Sequence, residues 1–260
     1  QGSQSPGMGA DFYEHSKPAR EVFDRAESIL PAGFLQTLFN GSPEEVKDTR
    51  VAQPALVLVG AAISAHLRSA GVEPVATAGH SVGEIAALHV SSALTLEDAL
   101  TLTCERARLM AKESPEGTMA AVLGMEPEAI ATALPENVDV ANYNSPAQTI
   151  ISGPHDAIEH AIPLLKEAGA KRVMPLPVSG PFHSWCMKAA AEKFRDFLAG
   201  IPVAAPAVRF VSSVSGGEER DPERIRELLW QQLYSPVRWV DVMNALGPVD
   251  ALEVGPGTVL

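Results

Sequence analysis

The chain has 260 residues, of which 46% are hydrophobic and 20% charged, a composition that excludes a disordered, collagen-like or coiled-coil protein. Asp and Glu number 32 against 20 Lys and Arg, so the formal net charge is −12 at pH 7, which argues against a nucleic-acid binder or a general binder of anionic membranes. Two cysteines, Cys104 and Cys186, are too few for a disulfide scaffold and fit a reducing cytoplasm, although they could still form one bridge.

The apolar runs and the two ends of the chain bear on its location. The longest uninterrupted apolar stretch covers about residues 55–65 and is shorter than the ~20 residues that a membrane helix needs. No signal peptide opens the chain, so we expect a cytoplasmic protein without a membrane segment. Because the sequence begins at Gln1 without Met and stops at Leu260, we expect it to be an excerpt of a longer polypeptide.

The first predicted elements are mainly helical and enclose one short strand. They are, in chain order, a helix at 49–70, a strand at 75–78, a helix at about 82–92 and a helix at about 95–112. Thr49 is predicted to cap the first helix, and Pro54 lies near its first turn. Thr95 and Asp98 resemble a capping box at the start of the last one.

Arg106 lies on an apolar face of that last helix. Leu102, Arg106 and Leu109 follow i, i+4, i+7 spacing, which places the three side chains on one face. We therefore expect Arg106 to point inward. The alternative is an ordinary solvated or structural arginine, which is what most helical arginines are.

The pattern changes between residues 116 and 176. Strands are predicted at 119–123, 138–142, 148–152 and 171–176, and helices at 126–134 and 154–168. This βαββαβ order is that of a ferredoxin-like unit, so we predict a ferredoxin-like subdomain at 116–176 inserted into a larger α/β body made of residues 1–115 and 177–260. The body resumes with predicted helices at 184–199, 222–233 and 237–246 and strands at 208–212 and 249–254.

Residues 79–83 match the G-x-S-x-G nucleophile elbow, between a small apolar strand and a helix. Gly79 and Gly83 are expected to remove side chains that would clash in a tight strand-to-helix turn. Ser81 then lies at a helix N-terminus, where free N–H groups favour a developing oxyanion. The alternative is a capping serine with Glu84 at the third helical position.

A serine hydroxyl needs a base, and His183 is one candidate because it lies in a Pro/Gly-rich loop after a predicted strand. Of the other histidines, 15, 155 and 160 are expected to face solvent, 66 and 89 lie within helices, and 80 is directed away from Ser81. Spacing alone does not select His183. Asp98, Asp139 and Asp156 lack a persuasive strand-end setting, so no orthodox triad can be assembled.

Seven motifs occur in one order along nearly the whole chain. Together they resemble the malonyl-CoA:acyl carrier protein transacylases, within the acyltransferase family of fatty-acid and polyketide synthesis. The motifs are Gln-Gly-Ser-Gln at 1–4 with Gly-Met at 7–8, Gly-His-Ser-x-Gly-Glu at 79–84, Arg106, Ala-Asn-Tyr-Asn-Ser-Pro at 141–146, Pro-Phe-His-Ser at 181–184, Gln-Leu-Tyr-Ser-Pro-Val-Arg-Trp at 232–239 and Glu-Val-Gly-Pro-Gly at 253–257.

The resemblance implies an α/β-hydrolase-like body with the ferredoxin-like insertion and assigns roles to individual residues. Ser81 would be the nucleophile and His183 the base, oriented by the main-chain carbonyl of Gln232. The backbone N–H groups of Gln1 and Val82 would form the oxyanion hole. Arg106 would bind the carboxylate of a malonyl group.

The same resemblance implies malonyl-CoA and acyl carrier protein as partners, with no cofactor and no metal, and we expect a monomer. Phe182, Met110, Met119 and Gln53 are predicted to line the acyl pocket. Phe182 beside His183 favours malonyl over bulkier groups. For the two methionines core filling is an alternative, and for Gln53 a role as a helix-start residue.

Several readings compete with a free-standing malonyltransferase. They are an acyltransferase domain of a polyketide synthase with malonyl or another extender unit, a serine esterase or thioesterase, and a non-catalytic module that holds carrier proteins. Asn142 and Asn144 are expected to hold turn geometry. Lys171, Arg172, Lys188 and Lys193 are candidates for docking an acidic carrier.

Overall fold

The computed structural model describes residues 3–258 of the chain. Most of the regular structure in this part is helical. The helices are α1 (Ala10–His15), α2 (Lys17–Ala26), α3 (Phe34–Asn40), α4 (Pro43–Lys47), α5 (Thr49–Ser69), α6 (Gly83–Val90), α7 (Leu96–Glu113), α8 (Pro127–Ala133), α9 (His155–Glu167), α10 (Lys188–Leu198), α11 (Pro222–Gln231) and α12 (Trp239–Leu246). A 3₁₀ turn at Trp185–Met187 directly precedes α10.

The strands form two separate sheets. They are β1 (Ala76–Ala78), β2 (Thr118–Leu123), β3 (Asp139–Ser145), β4 (Gln148–Gly153), β5 (Arg172–Pro175) and β6 (Arg209–Val211). In the body, β1 pairs in parallel with β6, with Ala76 opposite Arg209 and Ala78 opposite Val211. The second sheet is antiparallel and has the order β3-β4-β2-β5.

The antiparallel sheet carries α8 and α9 and has its own hydrophobic cluster. Residues between 120 and 173, among them Val122, Ile130, Ile151 and Leu165, form this cluster, and a larger cluster fills the body. The strand order is that of the predicted βαββαβ unit. The predicted α/β class, with a parallel sheet and an antiparallel insertion, is confirmed. The boundaries at residues 116 and 176 stay a prediction.

Helix α5 is the central helix of the body. Residues 52–55 and 57–62 are all buried. The predicted Thr49 cap is wrong, because Asp48 caps the helix by accepting from the Arg50 N–H at 2.8 Å. By length and composition α5 could cross a membrane, with a mean hydropathy of 1.3, but 56% of that window is buried inside the protein. That burial is what a core helix of a globular body has.

The sequence prediction missed α1 to α4, although local signals mark two of them. The Ser16 hydroxyl accepts from a backbone N–H of α2, and Ser42 forms a complete capping box with Glu45 at the start of α4. Each helix is short and depends on packing against the rest of the body, since isolated helices of this length are marginal in water.

Residues 249–254 do not form the predicted strand. They are irregular, and Val249 and Leu252 are 48% and 65% exposed. No strand within residues 3–258 pairs with them, and none of these six residues is buried. Apolar composition alone does not make a strand, because strand preference arises largely from neighbours on a pleated surface.

Phe23 on α2 offers a test of how the first helices are held. It is fully buried, and its ring centroid lies 5.7 Å from that of Tyr13 and 5.6 Å from that of Phe39. Phe23→Ala should lower the free energy of unfolding in urea by ~3–5 kcal/mol, because it leaves a cavity. Phe197→Ala, at a ring that is 36% exposed, is the control and should cost less than ~1 kcal/mol. Equal losses in both variants would contradict this packing.

Candidate active site

Ser81 lies in a strained bend between β1 and α6. Its φ is 53°, in the left-handed region that non-glycine residues rarely adopt, and its side chain is almost fully buried. A Cβ on Gly79 would lie 2.0 Å from the backbone carbon of Gly83, whereas a Cβ on Gly83 would meet no atom within 4 Å outside its own helix among residues 3–258. Within this part of the chain the steric requirement falls on Gly79, and the need for a glycine at position 83 stays a prediction.

His183 faces Ser81 across the site. The distance from Ser81 Oγ to His183 Nε2 is 2.8 Å. On the other side of the ring, Nδ1 lies 2.8 Å from the main-chain oxygen of Gln232 and 3.2 Å from that of Ser235. Because both carbonyls can only accept, Nδ1 carries the proton and Nε2 is free to accept from the serine hydroxyl.

The loop that carries His183 is fixed from both sides. The His183 N–H donates to the Leu233 carbonyl at 3.1 Å, and the Ser184 hydroxyl donates to the Pro181 carbonyl at 2.6 Å. Like Ser81, His183 has a left-handed backbone, with φ 57°. Backbone strain of this kind persists only where the surrounding structure holds it, which fits a site whose geometry is set in advance.

Burial controls the protonation of His183. Loss of hydration lowers its pKa to about 3, and the positive charge of Arg106 adds to the effect. The hydrogen bonds to the Gln232 and Ser235 carbonyls act in the opposite direction but do not offset it. The imidazole is therefore neutral at physiological pH and can accept a proton.

Arg106 projects from α7 into the same interior and has no exposed surface. Its Nη1 donates to Gln53 Oε1, and its Nη2 donates to Gln232 Oε1 at 2.9 Å and to Ser81 Oγ at 3.1 Å. Burial lowers its pKa to about 10, so the guanidinium stays charged near neutral pH. The inward orientation predicted from helical spacing is confirmed.

The guanidinium has unused donor capacity. Its Nε is buried and has no hydrogen-bond partner among residues 3–258. None of the ion pairs found in this part of the chain involves Arg106. A buried cation whose hydrogen-bond acceptors are all neutral amide and hydroxyl oxygens is ready to take an anionic ligand, since a buried charge without a direct ion-pair partner is costly inside a protein.

Two of the predicted acyl-pocket residues contact this cluster. Gln53 connects Arg106 and Met110, because its Oε1 accepts from Arg106 and its Nε2 donates to Met110 Sδ at 3.4 Å. Met110, Met119 and Phe182 are all buried members of the main hydrophobic core, and their role in an acyl pocket stays a prediction. Gln53 is more than a helix-start residue, because it is fully buried and holds the guanidinium.

Of the two backbone N–H groups predicted to form the oxyanion hole, only that of Val82 belongs to a described residue. The Val82 N–H lies in the turn that opens α6 and donates to no described residue. It is therefore free to meet an oxygen that develops next to Ser81, and the N-terminus of α6 favours negative charge there. Gln1, predicted to supply the second N–H, lies outside the described residues.

A groove connects His183 with the surface. Its volume is about 370 Å³. Lys188, one of the predicted docking lysines, lies with its Nζ 6.0 Å above the ring of Tyr234 at the edge of this groove. Lys193, another of them, pairs with Glu113 at 2.6 Å. The groove is lined by Ala131, Leu134, Val138, Asp139, Val140, Tyr143, His183, Tyr234 and Pro236.

The sequence prediction missed two sets of polar contacts. Asn142 and Asn144 do not serve turn geometry alone: His80 Nε2 lies 2.9 Å from Asn144 Oδ1 and 3.3 Å from Asn142 Nδ2, which ties the elbow to β3. Burial lowers the pKa of His80 to about 4. Glu84, considered only as a capping residue, is buried and accepts from Ser213 and Gln232. The sequence signal that could have identified Glu84 as a site residue is its position directly after the nucleophile elbow.

No group of three or more His, Cys, Asp or Glu side chains within residues 3–258 is arranged to hold a metal ion. The two cysteines are both free thiols. Burial raises the pKa of Cys104 to about 11, so this thiol is not an activated nucleophile. The reactive groups of the site are therefore Ser81 and His183, with Arg106 beside them.

An α/β fold in which a serine at a nucleophile elbow meets a neutral histidine is the arrangement of enzymes that work through acyl-serine esters. A sequence model of the acyl transferase domain family matches residues 1–260. The malonyl CoA-acyl carrier protein transacylase of Bacillus subtilis (strain 168) is 41% identical over 271 aligned positions, covering 100% of this chain and 86% of that protein. The chain therefore belongs to the acyl transferase family, as the ordered motifs predicted.

Solved structures agree with this assignment. An acyl carrier protein S-malonyltransferase from Vibrio cholerae O1 is 39% identical and has a TM-score of 0.94, with coverage of 99% of this chain and 88% of that one. A malonyl-transacylase solved with its type II polyketide synthase acyl-carrier protein is 36% identical and has a TM-score of 0.92, with coverage of 99% and 87%. At these identities the likeness extends beyond the fold to the family.

The lowered pKa of His183 predicts how Ser81 reactivity depends on pH. Because its pKa is lowered, His183 stays neutral at pH values below the ordinary histidine pKa. It can therefore still accept the proton of Ser81 as the pH falls. The labelling rate of Ser81 by phenylmethylsulfonyl fluoride, a neutral serine reagent, should change less than about threefold between about pH 7 and about pH 5. An unshifted histidine would lower this rate about 25-fold over the same interval, and a fall of that size would contradict the assignment.

Proposed function

We propose that this chain transfers a malonyl group from malonyl-CoA to the phosphopantetheine thiol of an acyl carrier protein. The observation that carries the proposal is the buried guanidinium of Arg106, 3.1 Å from the Oγ of Ser81. A nucleophile with a fixed cation beside it suits an acyl group that ends in a carboxylate. The relatives from Bacillus subtilis and Vibrio cholerae are malonyltransferases, which supports the same reaction.

The first half-reaction loads the enzyme. Ser81 Oγ attacks the thioester carbonyl while His183 Nε2 takes its proton. The oxyanion of the tetrahedral intermediate accepts from the Val82 N–H, and Gln1 is proposed as the second donor. The carbon–sulfur bond then breaks, and His183 returns the proton to the departing CoA thiolate. The product is a malonyl ester of Ser81.

The second half-reaction reverses these steps with another thiol. The phosphopantetheine thiol enters by the groove that reaches His183, gives its proton to Nε2 and attacks the ester carbonyl. Collapse of the intermediate releases Ser81, which recovers its proton from His183. Because one thioester replaces another, the exchange needs neither a cofactor nor ATP, and the kinetics should be ping-pong.

Arg106 explains the choice of acyl group. The guanidinium can grip a carboxylate with two parallel hydrogen bonds, and the unpartnered Nε provides one of the donors. An acetyl group leaves this buried cation without an anion. Discrimination against it therefore arises from an unpaired charge, which is a stronger selector than a difference in size.

The His183 partner bears on the competing readings. Among residues 3–258 it is oriented by carbonyls and by no carboxylate, which departs from the triad of most serine esterases.

The relative solved with a carrier protein supports carrier binding, and Lys188, next to Tyr234 of the groove, is placed to meet an acidic partner. We propose that the chain acts as a monomer in the cytoplasm. Service as one domain of a polyketide synthase remains the second candidate.

Intact mass spectrometry tests the proposal directly. Wild-type protein mixed with malonyl-CoA should gain one malonyl adduct, and Ser81→Ala should gain none. Arg106→Ala should lower the malonyl loading efficiency by about 100-fold or more, because a buried bidentate charge pair is lost. Its acetyl loading should not fall in parallel. Rapid release of free malonate without a carrier, or malonyl loading that survives in Arg106→Ala, would overturn the proposal.

A further inference from the structure

Glu84 is a buried carboxylate that the proposed reaction does not use. It lies on α6, one residue beyond the elbow, and is 1% exposed. The Ser213 hydroxyl donates to its Oε2 at 2.6 Å, and the Gln232 side-chain amide donates to the same oxygen. Burial raises the pKa of this carboxyl and outweighs the hydrogen bonds, which act in the opposite direction. Two side-chain donors from distant parts of the chain therefore fix the position of this buried carboxyl group.

The side chain of Gln232 lies between Glu84 and Arg106. Its Nε2 donates to Glu84, and its Oε1 accepts from Arg106 Nη2 at 2.9 Å. A carboxamide can turn over and exchange its two ends, but an ionised carboxylate only accepts. Glu84 therefore fixes which end of the amide faces the guanidinium. In the reverse orientation the amide NH₂ would face Arg106, and two donors would meet.

The amide also keeps the anion at a distance from the cation. A direct ion pair between Glu84 and Arg106 would occupy the donors that a substrate carboxylate needs. With Gln232 between them, the buried positive charge is oriented and partly balanced, and the Nε remains without a partner. The main-chain carbonyl of the same Gln232 holds His183, so one residue serves both groups by separate atoms.

We propose that Glu84 is a positioning residue for the carboxylate-binding Arg106, acting through the side-chain amide of Gln232. This inference rests on the proposed function, because it needs an acyl group that carries a carboxylate. Glu84 orients the amide, the amide orients the guanidinium, and the guanidinium receives the acyl carboxylate. Ser81 and His183 do not depend on this chain of contacts for their own hydrogen bond.

Glu84→Gln is the first test, since it keeps the shape but brings an NH₂ that permits the reverse amide orientation. The KM for malonyl-CoA in Ser81 loading should rise about tenfold, the size expected when a charge-assisted hydrogen bond is replaced by a neutral one. The labelling rate by phenylmethylsulfonyl fluoride, which needs only Ser81 and His183, should stay within about twofold of wild type. A general loss of structure would lower the labelling rate as well as raise this KM.

Two further variants complete the design. Gln232→Met removes the side-chain amide through which Glu84 acts, so it should also raise the KM for malonyl-CoA, and it tests the same chain of contacts if Glu84→Gln does not fold. Glu97→Gln changes an exposed acid in the first turn of α7, where it pairs with Arg25 at 2.6 Å, and should change neither measurement.

The outcomes separate the inference from the function on which it rests. A rise in the malonyl-CoA KM with unchanged sulfonyl fluoride labelling supports the positioning role. An unchanged or lowered KM, or a raised KM accompanied by a parallel loss of sulfonyl fluoride labelling, overturns it while wild-type loading stands. Wild-type protein that reacts with phenylmethylsulfonyl fluoride but takes up no malonyl group overturns the proposed function itself.

Discussion

The buried charge of Arg106 is the constraint on which the rest of the site depends. A guanidinium without exposed surface must find acceptors inside the protein, because desolvation without partners is too costly for a folded state of ordinary stability. Its acceptors come from three other parts of the body: Gln53 on α5, Ser81 in the elbow and Gln232 at the end of α11. Satisfying this one cation therefore sets the relative positions of four elements.

The base is oriented by main-chain carbonyls, and this has an electrostatic consequence. Burial and the positive charge of Arg106 favour the neutral imidazole of His183 and outweigh the two carbonyl hydrogen bonds, which act in the opposite direction, whereas a carboxylate partner would favour the imidazolium more strongly. The carboxyl group of Glu84 lies on the other side of the Gln232 amide from Arg106 and accepts from its Nε2. The site thus combines a neutral histidine with an adjacent cation, an arrangement that suits acyl transfer from a carboxylated thioester.

The insertion takes part in the site through its edge strand. The Val237 N–H donates to the Ala141 carbonyl at 2.8 Å, and the Tyr143 N–H donates to the Val237 carbonyl at 2.9 Å. Val237 therefore pairs alongside β3, and it lies in the segment that follows the two carbonyls holding His183. His80, next to the nucleophile, contacts the side chains of Asn142 and Asn144. One strand of the insertion therefore touches the supports of both the nucleophile and the base.

Local patterns in the sequence were sufficient for the α/β class, the elbow, the inward face of Arg106 and the antiparallel insertion, because these depend on spacing within single elements. The selection of His183 and of the Gln232 carbonyl needed the family resemblance, since no local signal pairs residues this far apart along the chain. Only the tertiary structure decided that Glu84 meets Gln232, that Asn142 meets His80, and that residues 249–254 remain irregular. Such contacts join distant segments, and what a buried polar group binds is set by packing, which no residue's immediate neighbours in the chain determine.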